Sequence, residues 1–295
     1  MKRKASFYVK KVLFYGVILA LALVCVIPLY WMLRSSFMKN TDIYSMRPFI
    51  FWPKEMLWSN YTDALKAADF GRYGINTMII VVGCLVGTLL TSSMAAYAFS
   101  RVKWKGRSFC FAMILTTMML PSSVTLIPQF MIWRNLNLID TYWPLILPSF
   151  FGGGAFNIFL LRQFFLGIPR DLDDAARIDG AGHWKILFSV ILPLSKAMLA
   201  VMVLYYGVGI WNGWFWGSTI LSDRSMYPLQ VVLREILMAN DTSSMTAGVA
   251  AGDVEAVGAT IRYATIIVAT LPILFVYPFL QKYFTKGVMV GAVKE

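Results

Sequence analysis

Charged side chains are scarce in this 295-residue chain, at 14%, and cysteine and histidine are scarcer still, with three and one. A soluble domain runs at about 25% charged, so the polar residues here are too few to cover a water-facing globule. A water-soluble protein is excluded. Cys25, Cys84 and Cys110 lie in or beside apolar runs, with no Cys-x-x-Cys pair and no histidine near them; neither a disulfide framework nor a metal site follows. What is abundant is apolar: 58% of residues are hydrophobic and the mean hydropathy is +0.64.

Six long stretches carry no charge at all: residues 12–33, 74–99, 109–133, 141–161, 197–222 and 263–281, from 19 to 26 residues each. A helix rises 1.5 Å per residue and the hydrocarbon layer is about 30 Å thick, so about 20 residues make one crossing. Backbone groups in lipid must pair within their own segment, and barrel strands would be shorter with alternating polarity. The fold class expected is an all-α integral membrane protein with six transmembrane helices in a single transmembrane domain over residues 1–295.

The connecting segments fall into two sets. Residues 1–11, 100–108, 162–196 and 282–295 hold 17 Lys or Arg against 5 acids, whereas 34–73, 134–140 and 223–262 hold 10 of each. The whole net charge of +12 therefore lies on one set. Basic residues stay on the cytoplasmic side, so both termini and the loops 100–108 and 162–196 are expected inside. Topology thus accounts for the basicity without nucleic acid. The first apolar run is too long for a signal h-region and ends in Leu29-Tyr30-Trp31-Met32-Leu33 with no small-residue cleavage site, so it reads as a retained anchor.

The informative soluble stretch is 162–196. After Pro169, Asp171, Asp173 and Asp174 fall in the first turn of a short helix, where acids favour the positive dipole end. Leu172, Ala175 and Ala176 give a small apolar face, and Gly180 stops the helix. Such a surface permits close approach by another protein. Asp174-Ala175-Ala176, three residues, Gly180, nine residues, then Val190-Ile191-Leu192-Pro193 resembles the EAA loop (Glu-Ala-Ala, three residues, Gly, nine residues, Ile-x-Leu-Pro) of permease subunits in ATP-binding-cassette importers. Asp174 for Glu and Val190 for Ile are the departures, both conservative. Ala95-Ala-Tyr-Ala-Phe-Ser-Arg101 and the tail Lys286-Gly-Val-Met-Val-Gly-Ala-Val-Lys-Glu295 are similar to the maltose and oligosaccharide type within that family, and the similarity extends along the whole chain.

The resemblance implies a type I importer permease in a bacterial or archaeal cytoplasmic membrane. A second six-span permease, two cytoplasmic ATPases and an extracytoplasmic sugar-binding protein would be its partners. The chain would be no enzyme and would hold no cofactor, because it lacks a Gly-x-x-x-x-Gly-Lys-Ser/Thr loop that could cradle phosphates; ATP and Mg would sit in the partner ATPase. Leu172, Asp174, Ala175, Ala176, Gly180 and Pro193 would form the ATPase-coupling site.

Polar residues within spans are the candidates for a translocation path: Asn76, Ser122, Gln129, Asn157 and Asn212, with Trp211 among the aromatics Trp214, Phe215 and Trp216 that could stack on sugar faces. Neutral amides and hydroxyls suit an uncharged sugar. The rival class is an ion-coupled carrier of a small polar solute, and the lack of Asp or Glu in any span argues against it. His183, the only histidine, reads as a packing or capping residue, and Gly152-Gly153-Gly154 as a kink or close helix contact. In the outer segment 223–262, Leu229, Val232, Leu233, Ile236 and Leu237 mark one helical face. The polar stretch after it, with Ser243, Ser244, Thr246 and Gly248, is the candidate contact for the binding protein.

Overall fold

The computed structural model describes residues 2–43, 50–246 and 254–292, and its regular secondary structure there is helical. Ten helices of eight or more residues are α1 Lys2–Ser36, α2 Ser59–Ala67, α3 Phe70–Ser100, α4 Arg107–Thr117, α5 Ser122–Asn135, α6 Ala155–Gly167, α7 Asp171–Ile178, α8 Lys196–Trp211, α9 Leu229–Thr246 and α10 Val254–Ala292. By internal contacts the chain divides into two units, residues 1–69 with 233–271, and 70–232 with 272–295.

In the first unit, α1 exposes the apolar residues Val12 to Leu29 almost throughout, Val12 at 72%, as expected of a helix whose solvent is lipid. Its end is pinned. Arg34 is fully buried, with Nε donating to the Ile50 carbonyl at 2.6 Å and the guanidinium 4.5 Å above the Trp31 ring. Asn60 on α2 donates to the carbonyls of Ser36 and Met38 at 2.9 and 3.0 Å, and Phe37 packs edge-on against Trp58. These bonds hold α2 beneath the end of α1 without a large core.

The second unit is built around α3. Among its buried residues Thr77, Ile80, Cys84, Thr88, Ser92 and Ala96 recur at three or four, which is one face of a helix. Many are small, so neighbours approach its backbone closely, as membrane helices require. A Cβ at Gly87 would lie 2.7 Å from the Phe150 ring, and one at Gly83 3.0 Å from Ile146. The segment over Trp143–Gly167 is broken at Gly152, Gly153 and Gly154, whose φ angles are +93°, +59° and +103°. The break is a kink and a close contact at once. Its freed backbone groups are satisfied by side chains: Gly152 N–H donates to Thr91 Oγ1 at 3.0 Å, and the Gly153 carbonyl accepts from Tyr206 Oη and Asn157 Nδ2, each at 2.6 Å.

Two expected crossings are not straight. α4 and α5 meet at 97° across Pro121, and the helical stretch His183–Leu194 meets α8 at 77°. Among the described residues four helices are long and apolar enough to cross a membrane, six if each bent pair counts as one. The charge-free run 197–222 also stops being helical at Trp211 and resumes as the short helix Phe215–Ile220. On α9, Leu229, Val232 and Leu233 are buried as the pattern predicts, but so is Val231, and Ile236 and Leu237 are half-buried. The buried face is wider than the stripe. α10 begins nine residues before its charge-free run, at Val254.

Candidate functional site

The short helix α7 forms where the sequence places it. Three acids occupy its first turn and Arg177 its last, both favourable to the helix dipole. It ends in a Schellman cap: Gly180 N–H donates to the Arg177 carbonyl and Ala181 N–H to the Ala176 carbonyl, both at 2.9 Å. Gly180 takes φ +77° with nothing within 4 Å of a would-be Cβ, so its backbone angle, not its lack of bulk, is what the turn demands.

The helix has an inner and an outer side. Asp173 is its one buried residue and forms an ion pair with Arg101 at 3.3 Å, side chains 6% and 1% exposed. Arg101 Nη2 also donates to the carbonyls of Phe165 and Ile168, the latter at 2.7 Å. Beneath lies an apolar cluster of Ala96, Tyr97, Leu161, Phe165, Ile186, Leu187, Ile191 and Met202, against which Ala176 and Ala181 pack. Tyr97 Oη lies 3.1 Å from His183 Nδ1, so His183 is a packing residue bonded to α3. Removing either member of a buried ion pair costs about 3–5 kcal/mol, because the other charge is left uncompensated.

The outer side carries Leu172 at 41% exposure and Ile178 at 87%, and in the segment after Gly180 Trp184 at 62% and Phe188 at 46% are exposed as well, with their rings stacked. Asp174, Ala175, Gly180 and Pro193 are exposed as well, whereas Ala176 is half-buried. Asp174 pairs with Arg177, at 3.4 Å on the surface, where such a pair contributes about 0–1 kcal/mol. Sequence reasoning did not find Asp173 or Arg101, since an acid in a first turn has a sufficient local reason to be there. The signal was their polarity at inward positions, Asp173 three residues before Ala176.

The second feature is a cleft of about 510 Å³ among α3, α5, α8 and the segments around Pro144–Ser149 and Asn212–Gly217. Trp133, Tyr206, Trp214, Phe215 and Trp216 line it together with Gln129, Asn212 and Thr77, and no lining side chain is charged. Trp214 and Phe215 pack edge-to-face with centroids 5.6 Å apart. Gln230 Nε2 lies 3.4 Å from Asn212 Oδ1, leaving the Asn212 amide group able to donate. Of the six path candidates, the cleft therefore brings together Gln129 and Asn212.

The other four lie elsewhere. Asn76 is buried and donates to the carbonyls of Ser225 and Tyr227 at 2.9 and 3.1 Å; Asn157 is buried against Gly153. Trp211 is 6% exposed, and Ser122 is the exposed first residue of α5. Near the cleft's chain segments, Asp140 accepts from the N–H groups of Ser222 and Asp223, and hydrogen bonds from Ser225 hold the Asp223 carboxyl below the usual carboxylate range. Ser243, Ser244 and Thr246 fall in the last turns of α9, while Gly248 lies outside the described residues. Among the described residues no group of His, Cys, Asp and Glu is arranged to hold a metal ion.

Residues 74–290 match the family model described as binding-protein-dependent transport system inner membrane component. The chain belongs to that family. Among relatives of this permease, LplC of Bacillus subtilis is 34% identical over 98% of the chain and 95% of the relative. The polygalacturonan/rhamnogalacturonan transport system permease protein YtcP of the same organism is 35% identical over 96% and 97%. The arabinooligosaccharides transport system permease protein AraQ of Halalkalibacterium halodurans is 31% identical over the full length of both. In solved structures, the permease is similar to a chain of a bacterial ABC transporter involved in the import of the acidic polysaccharide alginate, with TM-score 0.77, 29% identity and coverage of 93% and 98%. It is a membrane transport component of the ABC class and not an enzyme.

Proposed function

We propose that this permease forms half of the translocation path of an ATP-driven, binding-protein-dependent oligosaccharide importer. It would cross the membrane six times with both termini cytoplasmic, pair with a second permease, and seat α7 in a cytoplasmic ATPase that binds the ATP and Mg. The observation that carries the reading is the two-sided build of α7. Two exposed apolar side chains, Leu172 and Ile178, stand on a helix of eight residues whose other side is fixed by a buried ion pair, and the exposed Trp184 and Phe188 follow just after its Gly180 turn. Exposed apolar groups rimmed by charge are what a partner protein covers. Leu172, Asp174, Ala175, Ala176, Gly180 and Pro193 remain the coupling residues proposed, now with Ile178 and Trp184.

The sugar assignment draws on the relatives that transport arabinooligosaccharides and polygalacturonan or rhamnogalacturonan, and on the cleft's chemistry. Aromatic faces with a few amides suit the apolar faces and hydroxyls of a sugar ring. An ion-coupled carrier would be expected to place an acid on its pathway, and none lines this cleft. The outer end of α9 and the residues after it are assigned to the sugar-delivering binding protein.

The test is reconstitution. The permease expressed with its neighbouring transport genes should co-purify with an ATPase and a second permease, and Ala175→Arg should release the ATPase while the two permeases stay together. Retention of the ATPase by that variant, with uptake at the wild-type rate, would refute docking at α7.

A further inference from the structure

Arg101 immediately follows the last residue of α3. Its guanidinium reaches the carbonyls of Phe165 and Ile168, at the end of α6, and the carboxylate of Asp173, in the first turn of α7. These partners lie on both sides of Pro169, so one side chain brackets the joint between α6 and α7. The reverse strap is also present: Arg162 on α6 donates to the Phe99 carbonyl at 3.1 Å. α3 itself is an unbroken helix of 31 residues, and Thr77, Ile80 and Cys84 on it wall the cleft. Twenty-four positions at 1.5 Å each put Thr77 about 36 Å from Arg101.

We propose that Arg101 is a positioning residue of transport: it locks α7 to α3 through Asp173, so that movement imposed on α7 by a docked ATPase is delivered along α3 to the cleft wall. The proposal rests on the reading that α7 docks an ATPase. The physical basis is how little else holds α7. Asp173 is its one buried residue, and the Tyr97 to His183 bond lies beyond Gly180. Without the bracket, α7 would be joined to the bundle by its flanking backbone and by the packing of Ala176 and Ala181, and a push on its outer side would rotate it about Pro169. With the bracket, α7 and the end of α3 move together.

A purely structural pair makes a different prediction. A buried ion pair replaced by apolar residues of similar volume is often neutral or stabilising, so such a pair would be dispensable as long as the fold survives. The experiment compares Arg101→Met with Asp173→Leu in one double variant, and Arg101→Lys alone, in the complete complex in proteoliposomes with its binding protein. It measures sugar accumulated per ATP hydrolysed alongside the melting temperature. The double variant should assemble and hydrolyse ATP yet move about tenfold less sugar per ATP, within the range of ordinary coupling energies. Arg101→Lys, which keeps the charge but has no fork to span carbonyls and carboxylate together, should give an intermediate ratio. A wild-type ratio in an assembled double variant overturns the proposal; should that variant fail to assemble, a wild-type ratio in Arg101→Lys overturns it. Ala175→Arg in the same preparation separates the two levels. If it keeps the ATPase and its uptake, docking at α7 is wrong; if it sheds the ATPase while the Arg101 variants transport normally, only the bracket is wrong.

Discussion

Thr88 on α3 fills the space into which a side chain at Gly153 would project: both its Cγ2 and its Oγ1 lie where a Cβ would have to go. Gly153 also holds φ +59°, so the position excludes other residues by backbone conformation and by contact. Because the Gly153 carbonyl is shared by Tyr206 and Asn157, this one residue joins α3, α6 and α8.

Gly153→Ala should therefore destabilise the permease by about 1–3 kcal/mol from overpacking, plus about 1–2 kcal/mol from the left-handed angle. The check is thermal unfolding of the complex in detergent. Thr88→Ala added to it should restore part of the loss, since it removes Cγ2 and Oγ1 but leaves the strain and the Thr88 Cβ. Full stability of Gly153→Ala alone would contradict the packing described.

At Gly180 the balance is different, because nothing lies within 4 Å of a would-be Cβ. Gly180→Asn should retain most uptake, as asparagine tolerates the left-handed region, while Gly180→Val should lose most of it. Equal effects of the two substitutions would mean that the surface there, not the φ of +77°, is what matters.

Much of this was legible in the sequence, for identifiable reasons. The end of α7 was readable because glycine after a short amphipathic run has one dominant use, and the break at Gly152–Gly154 because three glycines in an apolar span leave no side chain to pack. The role of Asn76 and Asn157 was not. A buried amide bonded to carbonyls and one facing a cleft look alike in one dimension, and their partners, Ser225 and Tyr227 for Asn76, lie about 150 residues away. The same holds for Arg101, which counts as one more cation of an inside loop until its partner Asp173, 72 positions on, is in place. The 97° bend at Pro121 falls at a proline, a residue that breaks or kinks helices, but its angle depends on neighbours.

The cleft can be tested by that distinction. Asn212→Ala and Trp214→Ala should raise the sugar concentration needed for half-maximal uptake, with unfolding temperatures close to wild type. Asn76→Ala and Asn157→Ala should lower the unfolding temperature: the first takes the donor from the carbonyls of Ser225 and Tyr227, at about 1–3 kcal/mol, and the second less, because the Gly153 carbonyl keeps its bond from Tyr206. Reversed behaviour of the two pairs would place the path elsewhere.

Orientation rests on the charge split between the two sets of loops. With Cys25, Cys84 and Cys110 replaced, single cysteines at Asp63 and Asn137 should react with a membrane-impermeant thiol reagent in intact cells. Cysteines at Lys105 and Ala175 should react only after permeabilisation. Labelling at Ala175 from outside would refute the topology.

The central claim is that α7 and the turn after it meet an ATPase, and a photo-activated cross-linker placed at Ile178, which is 87% exposed, measures it most directly. Irradiated in native membranes, it should yield one adduct with a cytoplasmic ATPase subunit, identified by mass, and the same probe at Trp184 should yield that adduct too. If neither position gives an ATPase adduct while a probe at Asp63 does, the account is wrong about which side of this permease faces the ATP-driven motor.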